Sequence, residues 1–269
     1  MANAPLLVNP PSMDELTDDA IAGSWRLFQR RRGHRYSLDD VATARAALRV
    51  RPDAKRYLDL GCGIGSVLLM VAYKLGPEAR IVGVEAQAIS MALARKNTAR
   101  NDVKAELIEG DLREVEIEGE FDLITGTPPY LAPHSASPST DDQRTYARIE
   151  MRGGIEDYVA AASRVLAPGG ALVACCDARR PERAIAGAEA AGLAAVGQMD
   201  VVPRAGRKGP LFTVWTFAHE GALVVHEPLV ARDEDGGRTE AAFELRQFFD
   251  LPVNRAEPAS PGKPRPGKS

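Results

Sequence analysis

The sequence predicts a doubly wound α/β fold: a mainly parallel, seven-stranded sheet with helices on both faces and additions at its N- and C-terminal ends. Three observations predict it. Strand-like and helix-like patterns alternate from about residue 56 to 217. Three glycines at every second position, Gly61, Gly63 and Gly65, join the first of these strands to the helix that follows. Single carboxylates, Glu85 and Asp111, then stand at or just beyond the ends of the next two strands, the edge where ligands gather in such sheets.

Taken in order, residues 56–60 read as a short buried strand and 66–75 as a helix, 81–85 as a strand and 88–100 as a helix. Residues 106–109 and 121–125 read as strands. An amphipathic helix over 155–166 is ended by Pro168-Gly169-Gly170, and a strand follows over 171–176. Pro181 opens a helix that Gly192 closes, with proline at the start and glycine at the stop. Residues 196–202 and 211–217 read as two further strands, and 223–249 as a strand followed by an amphipathic helix. Residues 1–16, with Pro5, Pro10 and Pro11 and no periodicity, are expected to be a flexible arm. The folded domain is expected over 17–253, and the Pro-, Gly- and Lys/Arg-rich residues 254–269 as a disordered tail.

Of the 269 residues, 45% are hydrophobic and 26% charged, enough for a sizeable core in a globular chain. The formal net charge of −3 excludes a protein that coats itself in nucleic acid, so any such contact must come from a local basic patch. No apolar run approaches the ~18 residues of a membrane helix. The N-terminus lacks the basic and apolar regions of a secretory signal, so a cytoplasmic protein without membrane partners is expected. Cys62, Cys175 and Cys176 form neither a disulfide framework nor a metal-ligand spacing, and no metal is expected.

The glycines let the chain turn sharply and approach a ligand closely. Their G-x-G-x-G spacing differs from the G-x-G-x-x-G of dinucleotide folds, which argues against a nicotinamide dehydrogenase. Glu85, 20 residues after Gly65, can accept hydrogen bonds from both ribose hydroxyls of a nucleoside, and Asp111 can frame its base. Taken singly, each is equally a solvated surface carboxylate. In Thr127-Pro128-Pro129-Tyr130 two prolines fix the backbone, so that Tyr130 can offer a stacking face while oxygens beside it accept from an amino group. The plainer alternative is a proline turn with a packed tyrosine.

Together these segments, D-L-G-C-G-I-G, V-E, G-D-L and F-D-L-I-T-G-T-P-P-Y, with the turn Ala167-Pro168-Gly169-Gly170, resemble the successive motifs of Rossmann-like class I S-adenosylmethionine-dependent methyltransferases. The resemblance implies S-adenosyl-L-methionine as cofactor, with Asp59, Gly61, Gly63 and Gly65 at its methionine end, Glu85 at the ribose and Asp111 at the adenine. Thr127 to Tyr130 resembles the Asn-Pro-Pro-Tyr motif of enzymes acting on planar nitrogens, which makes Thr127, Pro128, Pro129 and Tyr130 the catalytic candidates. Thr127 replaces the asparagine; its hydroxyl still accepts a bond but is shorter and rotates, so amino chemistry stays open while adenine specificity is less well marked.

A further stretch, Gln29-Arg-Arg-Arg-Gly33-His-Arg35-Tyr36-Ser37-Leu-Asp39, resembles the Q-x-x-x-G-x-R-F-S-L-D pattern of bacterial tRNA adenine-N6 methyltransferases that modify an adenosine beside the anticodon of valine tRNA. The segment 223–249, with Phe248-Phe249, is similar to that family's C-terminal part. This resemblance implies that Tyr36, Ser37 and Asp39 line the cofactor and substrate pocket and that the partner is RNA, a tRNA in particular. Arg30, Arg31, Arg32 and Arg35 form one basic cluster; Arg204, Arg207 and Lys208 form another. A charge run is often only a solvated face. If 196–202 is a parallel strand, however, the second cluster sits at the rim of the site as a candidate for phosphate contacts. The loop 131–152, carrying His134, Arg144 and Arg148, lies on the same side and can close over substrate; His134 is a candidate base, though an aromatic amine needs little base help. The expected function is N-methylation of adenine N6 in tRNA or other structured RNA. Another planar nitrogen, such as a protein glutamine amide, a small molecule, or a non-catalytic RNA-binding relative remain open; intact glycines and Glu85 argue against the last.

Overall fold

The computed structural model describes residues 15–131 and 141–255. Nearly all of the expected arm and tail, and His134, lie outside the described residues. The chain runs β1 (Leu16–Ala22), β2 (Trp25–Arg30), α1 (Leu38–Val50), β3 (Arg56–Leu60), α2 (Ser66–Leu75), β4 (Arg80–Glu85), α3 (Ala88–Arg100), β5 (Ala105–Glu109) and β6 (Phe121–Gly126). It continues through α4 (Asp142–Arg148), α5 (Ile155–Ser163), β7 (Leu166–Asp177), α6 (Pro181–Ala190), β8 (Ala194–Val202), β9 (Phe212–Ala218), β10 (Val224–Val230) and α7 (Glu240–Phe248).

Eight strands form one sheet in the order β10-β8-β9-β7-β6-β3-β4-β5, and every pairing is parallel except those of β9. The doubly wound sheet is therefore as predicted, with one strand more than the seven expected. The extra strand is β10, which adds in parallel beside β8 at the edge. The alternation of side chains that marks a strand buried on both faces explains the layers. Tyr57, Ile81, Leu123, Val173 and Val214 pack into a core with α1, α2 and α3. Their neighbours Leu58, Val82, Ile124, Leu172 and Trp215 pack against α5 and α6 on the other face. Pro168-Gly169-Gly170 does not stop a long helix. Instead α5 ends at Ser163, and the strand runs through the Pro-Gly-Gly triplet as a bulge, with Phe121 opposite Leu166 but Leu123 opposite Ala171.

The β1–β2 hairpin is an addition the sequence patterns above do not assign. Its signal was the pair Gly23-Ser24 between two half-apolar runs, with Gly23 in the left-handed region at φ +49. The hairpin docks by hydrogen bonds to side chains. On α3, Asn97 Oδ1 accepts from Phe28 N–H at 2.7 Å, and its Nδ2 donates to the carbonyls of Phe28 and Ile64 at 2.9 and 2.8 Å. One turn later Asn101 repeats the exchange with Arg26, accepting at 2.8 Å and donating at 2.8 Å. Two asparagines four residues apart thus take the place of a neighbouring strand along β2.

Among the described residues no helix is long and apolar enough to cross a membrane, and no group of His, Cys, Asp and Glu side chains is arranged to hold a metal ion. The three cysteines are buried and free.

Asn97 is fully buried, so Asn97→Ala strands the Phe28 N–H and two carbonyls without partners. Each such loss costs about 1–3 kcal/mol. Urea unfolding of this variant should show a loss of at least about 2 kcal/mol, and equal midpoints for variant and wild type would show that the hairpin is not held this way.

Candidate active site

The strand order reverses between β3 and β6: the chain steps outward from β3 to β4 and β5, then returns to lay β6 along the other side of β3. Leu60 stands opposite Gly126 at that point, so the turns leaving the two strands lie side by side at their carboxyl ends. Gly61, Gly63 and Gly65 occupy the first turn with φ of +62, +57 and +87. A Cβ on Gly61 would collide with the Tyr158 hydroxyl, whereas one on Gly63 would meet nothing nearer than 4.0 Å and would stand in open space over the turn. Glu85, at the end of β4, locks the loop: its Oε2 accepts from Gly63 N–H at 2.9 Å and its Oε1 from Gln87 N–H at 2.6 Å. Burial pushes its carboxyl up from the usual range while these N–H bonds pull it down.

A first cleft opens above this turn, floored by Gly61, Gly63 and Glu85 and bounded by Asp111, Tyr146 and Arg152. A second cleft adjoins it, formed by the Thr127–Tyr130 turn, by Ser37 and Asp39 at the start of α1, and by Arg144 and Arg148 on α4. His34, Asp40, Thr127, Pro129 and Ala147 line both. A ligand in one cleft is thus within reach of a ligand in the other across the Thr127 turn. Arg144 and Arg148, one helical turn apart, are exposed and form no ion pair among the described residues. Helix α4 is stapled to the N-terminal segment: Arg30 donates to Asp141 at 2.8 Å, and the buried Gln143 carbonyl accepts from Arg30 Nη1 at 3.2 Å and His34 N–H at 3.3 Å.

The structure gathers most of the residues the sequence singled out. Gly61, Gly63, Glu85 and Asp111 line the first cleft, with Gly65 behind it as the N-cap of α2. Pro128, Tyr130, Ser37 and Asp39 line the second, and Thr127 and Pro129 both. Asp111 is held in a two-pronged pair by Arg113, at 2.9 and 2.6 Å, which keeps its carboxyl below the usual range. Burial raises the Tyr130 phenol, which remains protonated. Tyr36 lines neither cleft; it lies under the hairpin, its hydroxyl donating to the Ala20 carbonyl at 3.1 Å. Arg204, Arg207 and Lys208 follow β8, which runs parallel to β10 and antiparallel to β9, so their loop lies at the carboxyl edge of the sheet; they line neither cleft, and Arg204 donates to the Glu234 carbonyl. In the first basic cluster, Arg30 and Arg35 are engaged with Asp141 and Asp19. Asp40, His34, Arg152 and Tyr158 also line the clefts and were not singled out by sequence pattern. Burial lowers the proton affinity of His34, with the charges of Arg148 and Arg144 acting in the same direction and Asp39 opposing them.

Asp59 lies beneath the turn, 2% exposed, and lines neither cleft. Its Oδ1 accepts from Thr125 Oγ1 at 2.7 Å, Thr125 in turn lies 2.7 Å from the Tyr57 hydroxyl, and Oδ2 has no partner. The open space above Gly63 and the Glu85 carboxylate lining the same cleft suit a ligand with a polyhydroxylated ring, and the acidic Asp40 that also lines it suits a positive charge. That is the character of S-adenosylmethionine.

Burial pushes the Asp59 carboxyl up to about 8. A carboxyl raised above its unfolded value near ~3.9 binds its proton more tightly when folded. Its contribution to stability is therefore complete at low pH and is lost as pH rises toward about 8. Asp59→Asn should flatten the fall in Tm between about pH 5 and pH 8; a Tm profile with the wild-type slope would place the titration elsewhere.

Residues 38–188 match the family model of the methyltransferase small domain. The chain is similar to a release factor glutamine methyltransferase of Geobacter sulfurreducens, 35% identical over 142 residues and 50% of each chain. It is also similar to a tRNA1(Val) (adenine(37)-N6)-methyltransferase of Porphyromonas gingivalis, 34% identical over 43% of this chain and 47% of that one. The chain thus spans about half the length of these two relatives. A Haemophilus influenzae protein of the latter name is 29% identical over 73% of this chain and 84% of its own. Among solved structures, a predicted O-methyltransferase from Agrobacterium tumefaciens superposes with a TM-score of 0.58 at 19% identity, over 81% of this chain and all of that one. The 16S rRNA N2 G1207 methyltransferase of T. thermophilus, in complex with AdoMet and guanosine, gives a TM-score of 0.52 at 18% identity over 76% and 50% of the two chains. These likenesses agree on the fold, and with the matched family model they lead to one conclusion: the chain belongs to the methyltransferase small domain family.

Proposed function

We propose that this chain is a cytoplasmic S-adenosylmethionine-dependent N-methyltransferase whose acceptor is the N6 amine of an adenine in structured RNA, a tRNA foremost. The observation that carries the reading is the Thr127-Pro128-Pro129-Tyr130 turn, which borders both clefts at the switch point, with Arg144 and Arg148, without an ion pair among the described residues, lining the second cleft with it. Similarity to the Porphyromonas and Haemophilus proteins, whose names specify adenine N6 of a tRNA, supports the choice of acceptor.

When bound, the cofactor supplies an electrophilic methyl carbon that needs no further activation. The chain's own residues supply position. The Gly63 turn leaves room for the ligand, and the Glu85 carboxylate, which lines the same cleft, keeps lone pairs for the ribose hydroxyls. In the second cleft Tyr130 offers its ring to stack on a flat base while the Thr127 oxygens hold the amino group with its lone pair aimed across the junction. Holding the two reacting atoms at near-attack distance is the main source of rate. The Arg144 and Arg148 cations, with Arg207 and Lys208 beyond them, supply sequence-independent attraction for flanking phosphates.

A second reading is methylation of a protein glutamine amide, also a planar nitrogen, and the similarity to the Geobacter protein favours it. Arg144 and Arg148 discriminate, since a neutral peptide loop has no use for two cations at the cleft.

Nucleoside mass spectrometry of total tRNA from a deletion strain should show loss of one N6-methyladenosine, restored by purified protein with S-adenosylmethionine; an unchanged tRNA profile together with methylation of release-factor peptide would overturn the adenine assignment. With the substrate in hand, Tyr130→Ala should lower kcat/KM about 5- to 150-fold, the equivalent of ~1–3 kcal/mol of stacking. Combined Arg144→Ala and Arg148→Ala should weaken RNA binding and reduce its salt slope by about 2 while leaving cofactor affinity unchanged. A salt slope equal to wild type would remove these arginines from the interface.

A further inference from the structure

A methyl group can pass between the clefts only where they meet, so the sulfur that carries it must lie beside the residues common to both. Among these, Asp40 is the acidic one. Its carboxyl is 6% exposed; Oδ2 accepts from Ser37 N–H at 2.8 Å and Oδ1 from Ser66 Oγ at 2.9 Å. It makes no ion pair among the described residues. Among the described residues the charged group that acts on it most is Asp39 on its own helix, and it acts in turn on Asp59 on β3, Tyr36 before α1, Tyr130 beyond β6 and Cys175 on β7, none of them a cation. His34, at the same junction, has its proton affinity lowered by burial, and it is not a counter-charge at neutral pH. Burial, and then the neighbouring Asp39, push the Asp40 carboxyl up to about 7. A buried carboxyl without a cation, placed where the clefts meet, is costly unless the ligand brings the missing charge.

We propose that Asp40 is the electrostatic partner of the sulfonium and selects S-adenosylmethionine over S-adenosylhomocysteine, the uncharged thioether left after transfer. The proposal rests on the cofactor reading above. The two ligands share their nucleoside, ammonium and carboxylate; they differ by one methyl group and one positive charge, and that charge is what Asp40 senses. With the sulfonium beside it the carboxyl ionises and its proton leaves to the buffer; with the thioether there the proton stays. Loss of the charge on methyl transfer thus removes the attraction and favours product release.

Titration calorimetry of the full chain with each ligand tests this, in buffers of different ionisation enthalpy and from about pH 6 to about pH 8.5. S-adenosylmethionine should release a proton near neutrality and bind more tightly as pH rises, and S-adenosylhomocysteine should do neither. The preference for the charged ligand should widen up to about tenfold for each unit by which the carboxyl's pKa falls on binding. Asp40→Asn, which keeps an oxygen for Ser66, should abolish the proton release and flatten the preference; Asp59 lines neither cleft and stays ionisable in this variant, which separates the two carboxyls. The wild-type comparison needs no variant, so a poorly folding Asp40→Asn leaves the test intact. Identical proton release and pH response for the two ligands, or a wild-type preference in Asp40→Asn, would overturn the proposal alone. Failure of the folded chain to bind either ligand would overturn the cofactor reading and the proposal with it.

Discussion

The pair of backbone N–H bonds accepted by Glu85 is the contact on which the rest of the site depends. A turn containing three left-handed glycines is soft by nature, because those residues lose the most freedom on folding. A carboxylate from the adjacent strand that grips Gly63 on one side and Gln87 on the other removes that softness and fixes the two strand ends together. With the turn fixed, Tyr158 can pack against Gly61 and Gly126, where any Cβ would collide with it, and so bind the β3 and β6 turns from below. The first cleft is therefore shaped by what is missing, three side chains, as much as by what is present.

The second cleft is built differently. Its walls are contributed by the segment before α1, the Pro-Pro turn and α4, which share no sheet. They cohere through polar side chains: Gln143 reaches into the space left by Gly33, and Arg30 closes over it to Asp141. Two of the four arginines in the first basic cluster are accounted for by such bonds, with Arg35 held by Asp19. The positive character of the cleft comes instead from α4, where the exposed Arg144 and Arg148 form no ion pair among the described residues.

How much of this could be read in the sequence follows from the range of the interactions involved. The strands at the site are short runs, with β3, β5 and β6 ended by glycine, and both their existence and their succession along the chain were legible from local pattern. So was the helix that Pro181 opens, since its stop and start signals lie within it. The edge placement of β10 was not, because a parallel partner is chosen by tertiary packing rather than by the strand itself. The hairpin was signalled by Gly23-Ser24, but its docking depends on two asparagines about 70 residues away on α3. The sequence marked Asp39 but not Asp40. Successive helical residues point ~100° apart, and only the phase of α1 against α2 decides that Asp40 is the one turned inward to Ser66. Tyr36 illustrates the converse: a residue in a telling stretch of sequence, turned beneath the hairpin because the Ala20 carbonyl there has room for its hydroxyl.

The staple between Gln143 and the N-terminal loop spans 109 residues of chain. The entropy of closing a loop grows only slowly with its length, so this closure costs little more than the 66-residue one that brings Thr125 to Asp59 across β3 and β6. Helix α4 serves both clefts, Tyr146 the first and Arg144 and Arg148 the second, with Ala147 in each. Loosening that one staple would therefore open the space for a nucleoside and the space for a base together, and tightening it would close both at once.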